Sequence, residues 1–278
     1  MVAWNNDASV AYIVIKDVGI GLMERKRNMY TESLQDDWSP SRQQQAMAWS
    51  AHLFTATGAI WGLMALLAIT NGEWRVAFAW MALAVFVDAF DGIWARRVHV
   101  KSVLPNFDGA LLDNMIDFLN YVFIPAYFLY ASNLLPMGYG LIGAALILLA
   151  SSYQFCQDDA KTDDHYFKGF PSYWNIMVYY IFIMGGSPWT NLAVLVVLSV
   201  LVFVPIKYVY PTRTAMHKQL TMTLACLWGI INVVILVRYP VRDPWLLWAT
   251  FLFVVYYCGL SFYSMWLDQR KAAKAVGQ

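Results

Sequence analysis

Apolar residues in this chain come in long runs, and polar residues gather between them. A helix needs roughly 20 apolar residues to cross about 30 Å of hydrocarbon. Eight stretches fit a membrane crossing, at about 51–70, 75–95, 110–131, 138–156, 173–186, 190–209, 219–237 and 245–266. Backbone groups cannot stay unpaired in lipid, so helices are expected for all of them. The fifth stretch is short and is interrupted by Gly185, Gly186 and Pro188. Ahead of the first, residues 41–50 carry Gln43, Gln44, Gln45, Ala46, Met47 and Trp49, which suits an interfacial lead-in helix. Residues 1–45 read as a cytoplasmic or interfacial extension, 46–268 as one transmembrane domain and 269–278 as a cytoplasmic tail. No internal repeat is visible.

Composition removes the soluble alternatives. Hydrophobic residues make up 60% of the 278 and charged residues 13%, against about 45–50% and 25% in an ordinary soluble domain. Such a surplus cannot be hidden in a globule of this size. A secreted module, a disordered linker and a soluble dinucleotide-binding enzyme are therefore excluded, and an all-α polytopic membrane bundle is expected. Aromatic residues near the predicted ends, such as Trp61, Trp74, Trp189 and Trp245, fit interfacial belts. No signal peptide is visible, and Cys156, Cys226 and Cys258 give no disulfide or zinc framework. The four histidines have no spacing that suggests zinc or a triad.

Charge then sets an orientation. With both termini and the 96–108, 157–172 and 207–218 loops on one side, 16 of the 19 basic residues share that side. Only Arg75, Arg238 and Arg242 lie opposite. The positive-inside rule makes the richer side cytoplasmic, Arg97 and Lys101 being ordinary members of it. The cluster Glu24, Arg25, Lys26 and Arg27 reads as a solvated turn, with contact to lipid headgroups the alternative.

Ionisable groups inside spanning helices are costly and mark function. The second stretch ends with Asp88 and Asp91, and the third begins with Asp108, Asp113 and Asp117. On a helix, Asp88, Asp91, Gly92 and Ala95 fall within about 100° of one another, and Gly109, Asp113, Asp117 and Asn120 fall in a similar arc. Consecutive spans usually pack side by side, so the two carboxylate faces are expected to meet. Four such carboxylates repel unless a cation neutralises them. All-oxygen sites suit hard divalent ions, which beside a slot of small residues suit phosphate chemistry. The plain alternative is a set of caps and ion pairs with Arg96 and Arg97, and a cation-coupled transporter would also use intramembrane aspartates.

These residues match the pattern D-x2-D-G-x2-A-R followed by G-x3-D-x3-D. Asp88, Asp91, Gly92, Ala95, Arg96, Gly109, Asp113 and Asp117 fill every fixed position, so the chain resembles the CDP-alcohol phosphotransferase family. The 12 residues between Arg96 and Gly109 form a longer connector than most of that family has. That length is similar to the bacterial phosphatidylcholine synthase branch. So are Ala51-His52-Leu53-Phe54-Thr55-Ala56, Tyr121-Val122-Phe123-Ile124-Pro125-Ala126, and the loop words from Ser151 through Lys161 to Asn175.

The resemblance implies transfer of a phosphatidyl group from CDP-diacylglycerol to choline at the inner membrane, with CMP released. It implies manganese or magnesium, two ions, held by Asp88, Asp91, Asp113 and Asp117, with Asp117 as base. Asp88, Gly92, Ala95, Arg96, Gly109 and Lys161 would contact the nucleotide or its phosphates, and a homodimer is implied as well. Choline has a fixed charge and no donor on nitrogen, so aromatic faces recognise it. Asn120, Tyr121, Tyr153, Tyr173 and Trp174 are the candidates, while Asp158, Asp159, Asp163 and Asp164 read as a solvated loop. Few basic residues flank the site beyond Lys161 and Lys168, which disfavours a phosphorylated acceptor. Glycerol phosphate, serine or inositol is the alternative acceptor.

Overall fold

A computed structural model describes residues 39–276 except 158, 161–165 and 210–216. The extension at 1–38 and Lys161 therefore lie outside the described residues. The first helix, α1 (Arg42–Thr70), starts at a capping box: Ser41 Oγ accepts the Gln44 N–H at 3.2 Å, and Gln44 Oε1 accepts the Ser41 N–H at 2.8 Å. The lead-in at 41–50 and the first apolar stretch are thus one continuous helix of 29 residues. A turn through Gly72 reverses the chain into α2 (Trp74–Arg97). The long connector that follows holds a single helical turn, α3 (Val100–Val103), whose buried Val103 helps seat it against α1.

The third stretch is helical throughout but not uniformly α. It comprises α4 (Gly109–Asp117), a π-helical segment (Phe118–Phe123) and α5 (Ile124–Ala131). Asp108 caps it, its carboxylate accepting the N–H groups of Ala110 and Leu111 at 3.0 and 2.9 Å. After these come α6 (Gly140–Phe155), β1 (Tyr166–Lys168), α7 (Trp174–Met184), α8 (Pro188–Leu201), β2 (Lys207–Val209), α9 (Lys218–Arg238) and α10 (Pro244–Val276). A shared core runs between α1 and α9, with Phe128 of α5 against Phe78 of α2 at 4.7 Å and Phe182 of α7 at 6.0 Å.

Among the described residues, four helices are long and apolar enough to cross a membrane: α1, α2, α9 and the Pro244–Leu267 part of α10. Helices α6, α7 and α8 have only 16, 11 and 14 residues. Helix α7 stops at Gly185, whose φ of 62° suits glycine, as the Gly185, Gly186 and Pro188 breakers foretell. The sixth stretch departs from expectation. Its helix ends at Leu201, and Lys207–Val209 pairs antiparallel with Tyr166–Lys168. Pro205 is the cause, because it cannot continue a helix and pushes the residue before it toward extended backbone.

The ribbon so formed fastens several helices together. Gln154 Nε2 of α6 donates to the Lys168 carbonyl at 2.8 Å, the Phe170 N–H to the Leu201 carbonyl at 3.0 Å, and Ser264 Oγ of α10 to Tyr166 Oη at 2.6 Å. Basic residues at the opposite end of the bundle also converge. Arg75 donates to the Val237 carbonyl at 2.8 Å, and the Arg242 guanidinium lies against Gly185.

Gly169, at φ 79°, donates its N–H to the Ile206 carbonyl at 2.9 Å, and a Cβ there would collide with the Val202 carbonyl. Gly169→Ala is expected to destabilise the protein by more than the roughly 1–2 kcal/mol of left-handed strain alone. A lowered thermal midpoint in detergent would show it, and an unchanged midpoint would contradict the ribbon geometry.

Candidate functional site

Helix α1 buries a stripe of small residues, among them Ala48, Ala51, Thr55, Gly58, Gly62 and Ala65. The third helical run lies directly on that stripe. A Cβ added to Gly58 would sit 2.5 Å from Ile116 Cγ2, and one on Gly62 would sit 2.8 Å from Asn120 Oδ1. Asn120, 4% exposed, locks the seam by donating Nδ2 to the carbonyls of Gly58 and Ile116, each at 3.1 Å. Gly109 is equally tight, because a Cβ on it would strike the His52 ring. That ring is buried between Trp49 and Phe107, with centroids 6.0 and 4.4 Å away.

With α1 so close, α2 and α4 bring their carboxylates together. A small hollow is lined by Thr55 of α1, Ala84, Val87, Asp88 and Asp91 of α2, Asp113, Ile116 and Asp117 of α4, and Asn120 and Tyr121 of the π segment. One carboxylate oxygen from each of Asp88, Asp91 and Asp113 lies within 4.8 Å of the other two. Asp91 is 5% exposed. All four expected carboxylates thus meet, three in a cluster and Asp117 on the same wall. An all-oxygen donor set of this kind fits a hard divalent ion.

The other expected contacts divide. Tyr121 Oη donates to Asp88 Oδ2 at 2.7 Å, and its ring centroid is 5.9 Å from that of Tyr173. Tyr173 in turn meets Phe167 of β1 edge-on at 6.0 Å. Trp174 does not join them, although it was expected beside them. It is fully buried, its Nε1 donates to Ser151 Oγ at 2.6 Å, and its ring packs against Phe170. Tyr153 also points elsewhere, half exposed with its ring 4.8 Å from Phe203. Asn120 turns its amide nitrogen to the α1 seam.

The small residues expected to line a nucleotide slot are partly occupied by the protein itself. His52 fills the space beside Gly109, so the absence of a side chain there serves helix packing. Arg96, exposed at the end of α2, folds back so that a guanidinium nitrogen lies 3.2 Å from where a Gly92 Cβ would be. Ala95 is half-buried between them in sequence. Asp159 pairs with Lys168 at the surface at 2.5 Å. The hydrogen bond holds the carboxyl below the usual carboxylate range and raises the ammonium; Asp158, Asp163 and Asp164 lie outside the described residues.

Thr55, His52 and Phe167 were not expected at the site. A signal existed for the first two, since Thr55, Gly58 and Gly62 recur at three- and four-residue steps and mark a close-packing face. Phe167 carried none, because its placement depends on the ribbon.

No protein-family model matches the chain. Curated relatives do. The phosphatidylcholine synthase of Legionella pneumophila is 45% identical over 234 residues, 81% of this chain and 91% of that protein. The phosphatidylcholine synthase of Pseudomonas aeruginosa is 37% identical over 227 residues, 82% of this chain and 94% of its own length. That of Borreliella burgdorferi is 35% identical over 224 residues, 81% and 95% respectively.

The two aromatic roles are separable by substitution. Trp174→Ala is expected to cost about 3–5 kcal/mol of stability, as truncation of a buried aromatic does. Tyr173→Ala, half-buried, should lower the unfolding midpoint less. Equal midpoints for the two variants would contradict this placement.

Proposed function

Because this chain belongs to the phosphatidylcholine synthase family, we propose that it joins choline to CDP-diacylglycerol, giving phosphatidylcholine and CMP. The observation that carries the reading is the convergence of Asp88, Asp91, Asp113 and Asp117 on one hollow at the end of an apolar bundle. The choline hydroxyl oxygen attacks the phosphorus that bears the diacylglycerol. The bond from that phosphorus to the bridging diphosphate oxygen breaks, and CMP leaves with the electron pair. Asp117 takes the hydroxyl proton, as a carboxylate one helical turn from Asp113 and on the same wall is placed to do.

Asp88, Asp91 and Asp113 would hold divalent ions, manganese or magnesium, which when bound neutralise charge on the diphosphate and on the departing CMP. The chain's own part is to hold the phosphorus and the hydroxyl in line. Tyr121 and Tyr173 offer aromatic faces beside the carboxylates, a setting that suits a quaternary ammonium. Gly92, Ala95, Arg96 and Lys161 are proposed for the nucleotide side.

The same proposal sets the protein in the bacterial inner membrane as a homodimer, the site and both termini toward the cytoplasm. Counting α6, α7, α8 and the Gly109–Ala131 run as crossings gives eight. The gathering of Arg75 and Arg242 at the end away from the aspartates supports that direction.

Asp113→Asn is expected to abolish CMP release in detergent while the protein keeps a cooperative unfolding transition, and near-normal activity would remove Asp113 from the site. A parallel acceptor screen, with CDP-diacylglycerol and manganese fixed, should give CMP with choline and none with serine, glycerol phosphate or inositol. Release with another alcohol would keep the carboxylate site and discard the choline assignment.

A further inference from the structure

Pro125 stands inside an apolar helical run. A proline there has no N–H for the carbonyl four residues back, and its ring crowds that carbonyl. Four residues back is Tyr121. The π segment relieves the conflict, with the Ile124 N–H donating to the Leu119 carbonyl, five residues back. The change of turn also redirects side chains. A four-residue step on an α-helix overshoots a full turn by about 40°, so Asp117 already drifts around the helix from Asp113. In the wider π turn a four-residue step no longer overshoots. Tyr121 is thereby kept on the face of the aspartates, and its hydroxyl reaches Asp88 Oδ2 at 2.7 Å.

An aspartate carboxylate rotates over a broad, roughly two-fold torsion, so nothing intrinsic fixes which oxygen it presents. We propose that Tyr121 is a positioning residue for the divalent-ion centre: its hydroxyl sets the rotation of Asp88 and so holds one Asp88 oxygen within the cluster shared with Asp91 and Asp113. The inference rests on the reading of that cluster as an ion site. It separates Tyr121 from Tyr173, which touches the Tyr121 ring and lies next to the ribbon. Partners that orient a ligating group typically change metal affinity about 10–100-fold when removed.

The test is a manganese titration of the purified full chain in detergent, with free Mn2+ read by electron paramagnetic resonance. Tyr121→Phe removes the hydroxyl and keeps the aromatic face. It is expected to weaken Mn2+ binding by about 10–100-fold. In an Asp88→Asn background the same substitution should cause no further loss. Wild-type Mn2+ affinity in Tyr121→Phe, or an undiminished effect in the Asp88→Asn background, would overturn the inference and leave the site reading standing. Absence of Mn2+ binding by the wild-type chain would overturn both. Should Tyr121→Phe fail to fold, Pro125→Ala tests the same geometry by restoring a regular turn. Weakened Mn2+ binding there supports the inference, and unchanged affinity overturns it.

Discussion

The carboxylate cluster depends on how near α1 lets its neighbours come. Lipid tails are as apolar as leucine, so helices in a bilayer gain little by hiding apolar surface from one another, and association falls to close packing and a few polar bonds. Gly58 and Gly62 allow contact at distances no other residue permits, and Asn120 adds the polar bonds across that contact. Three carboxylates within 4.8 Å repel one another, by about 1 kcal/mol per pair in water and more where water is scarce. Packing of α2 and α4 against α1 is what opposes that repulsion. A larger side chain at Gly58 or Gly62 would act on the aspartates through Ile116 and Asn120, without touching any of them.

Much of the site was legible because the spacing of its aspartates is itself a statement about helix faces. Asp88 and Asp91, and again Asp113 and Asp117, lie three and four residues apart, and neighbouring helices brought the two arcs together as periodicity predicts. What escaped was everything that depends on backbone departing from a regular helix. Pro205 ended α8 early and Pro125 imposed a π turn, yet both sit in runs apolar enough to read as continuous spans. The aromatic residues could not be told apart in the sequence for another reason. Trp174 and Tyr121 look alike to a sequence argument, and only the Ser151 hydroxyl behind one and the Asp88 carboxylate beside the other tell them apart. Apolar length and helix length also part company where glycine or proline breaks a run, as in α7, whose helix has 11 residues.

The reaction asks one site to meet a lipid, a nucleotide and a small cation. The bundle answers with different materials on different sides of the hollow. Glycine-packed helices carry the carboxylates proposed to meet the phosphates, where small displacements are costly. Aromatic rings lie on the side of the ribbon, where a bulky, weakly directional cation needs surfaces more than hydrogen bonds. Tyr121 belongs to both, with its hydroxyl on Asp88 and its ring on Tyr173.

The antiparallel pairing of Tyr166–Lys168 with Lys207–Val209 has a consequence for how the protein is made. The aspartates all lie between residues 88 and 117, on segments adjacent in the chain, so that half can assemble early as synthesis proceeds. The ribbon cannot close until residue 209 has left the ribosome and α7 and α8 are both in place. Contacts of such separation form late, after loop-closure entropy has been overcome. A nascent chain therefore can bring Asp88, Asp91, Asp113 and Asp117 together before the side of the hollow next to the ribbon has closed.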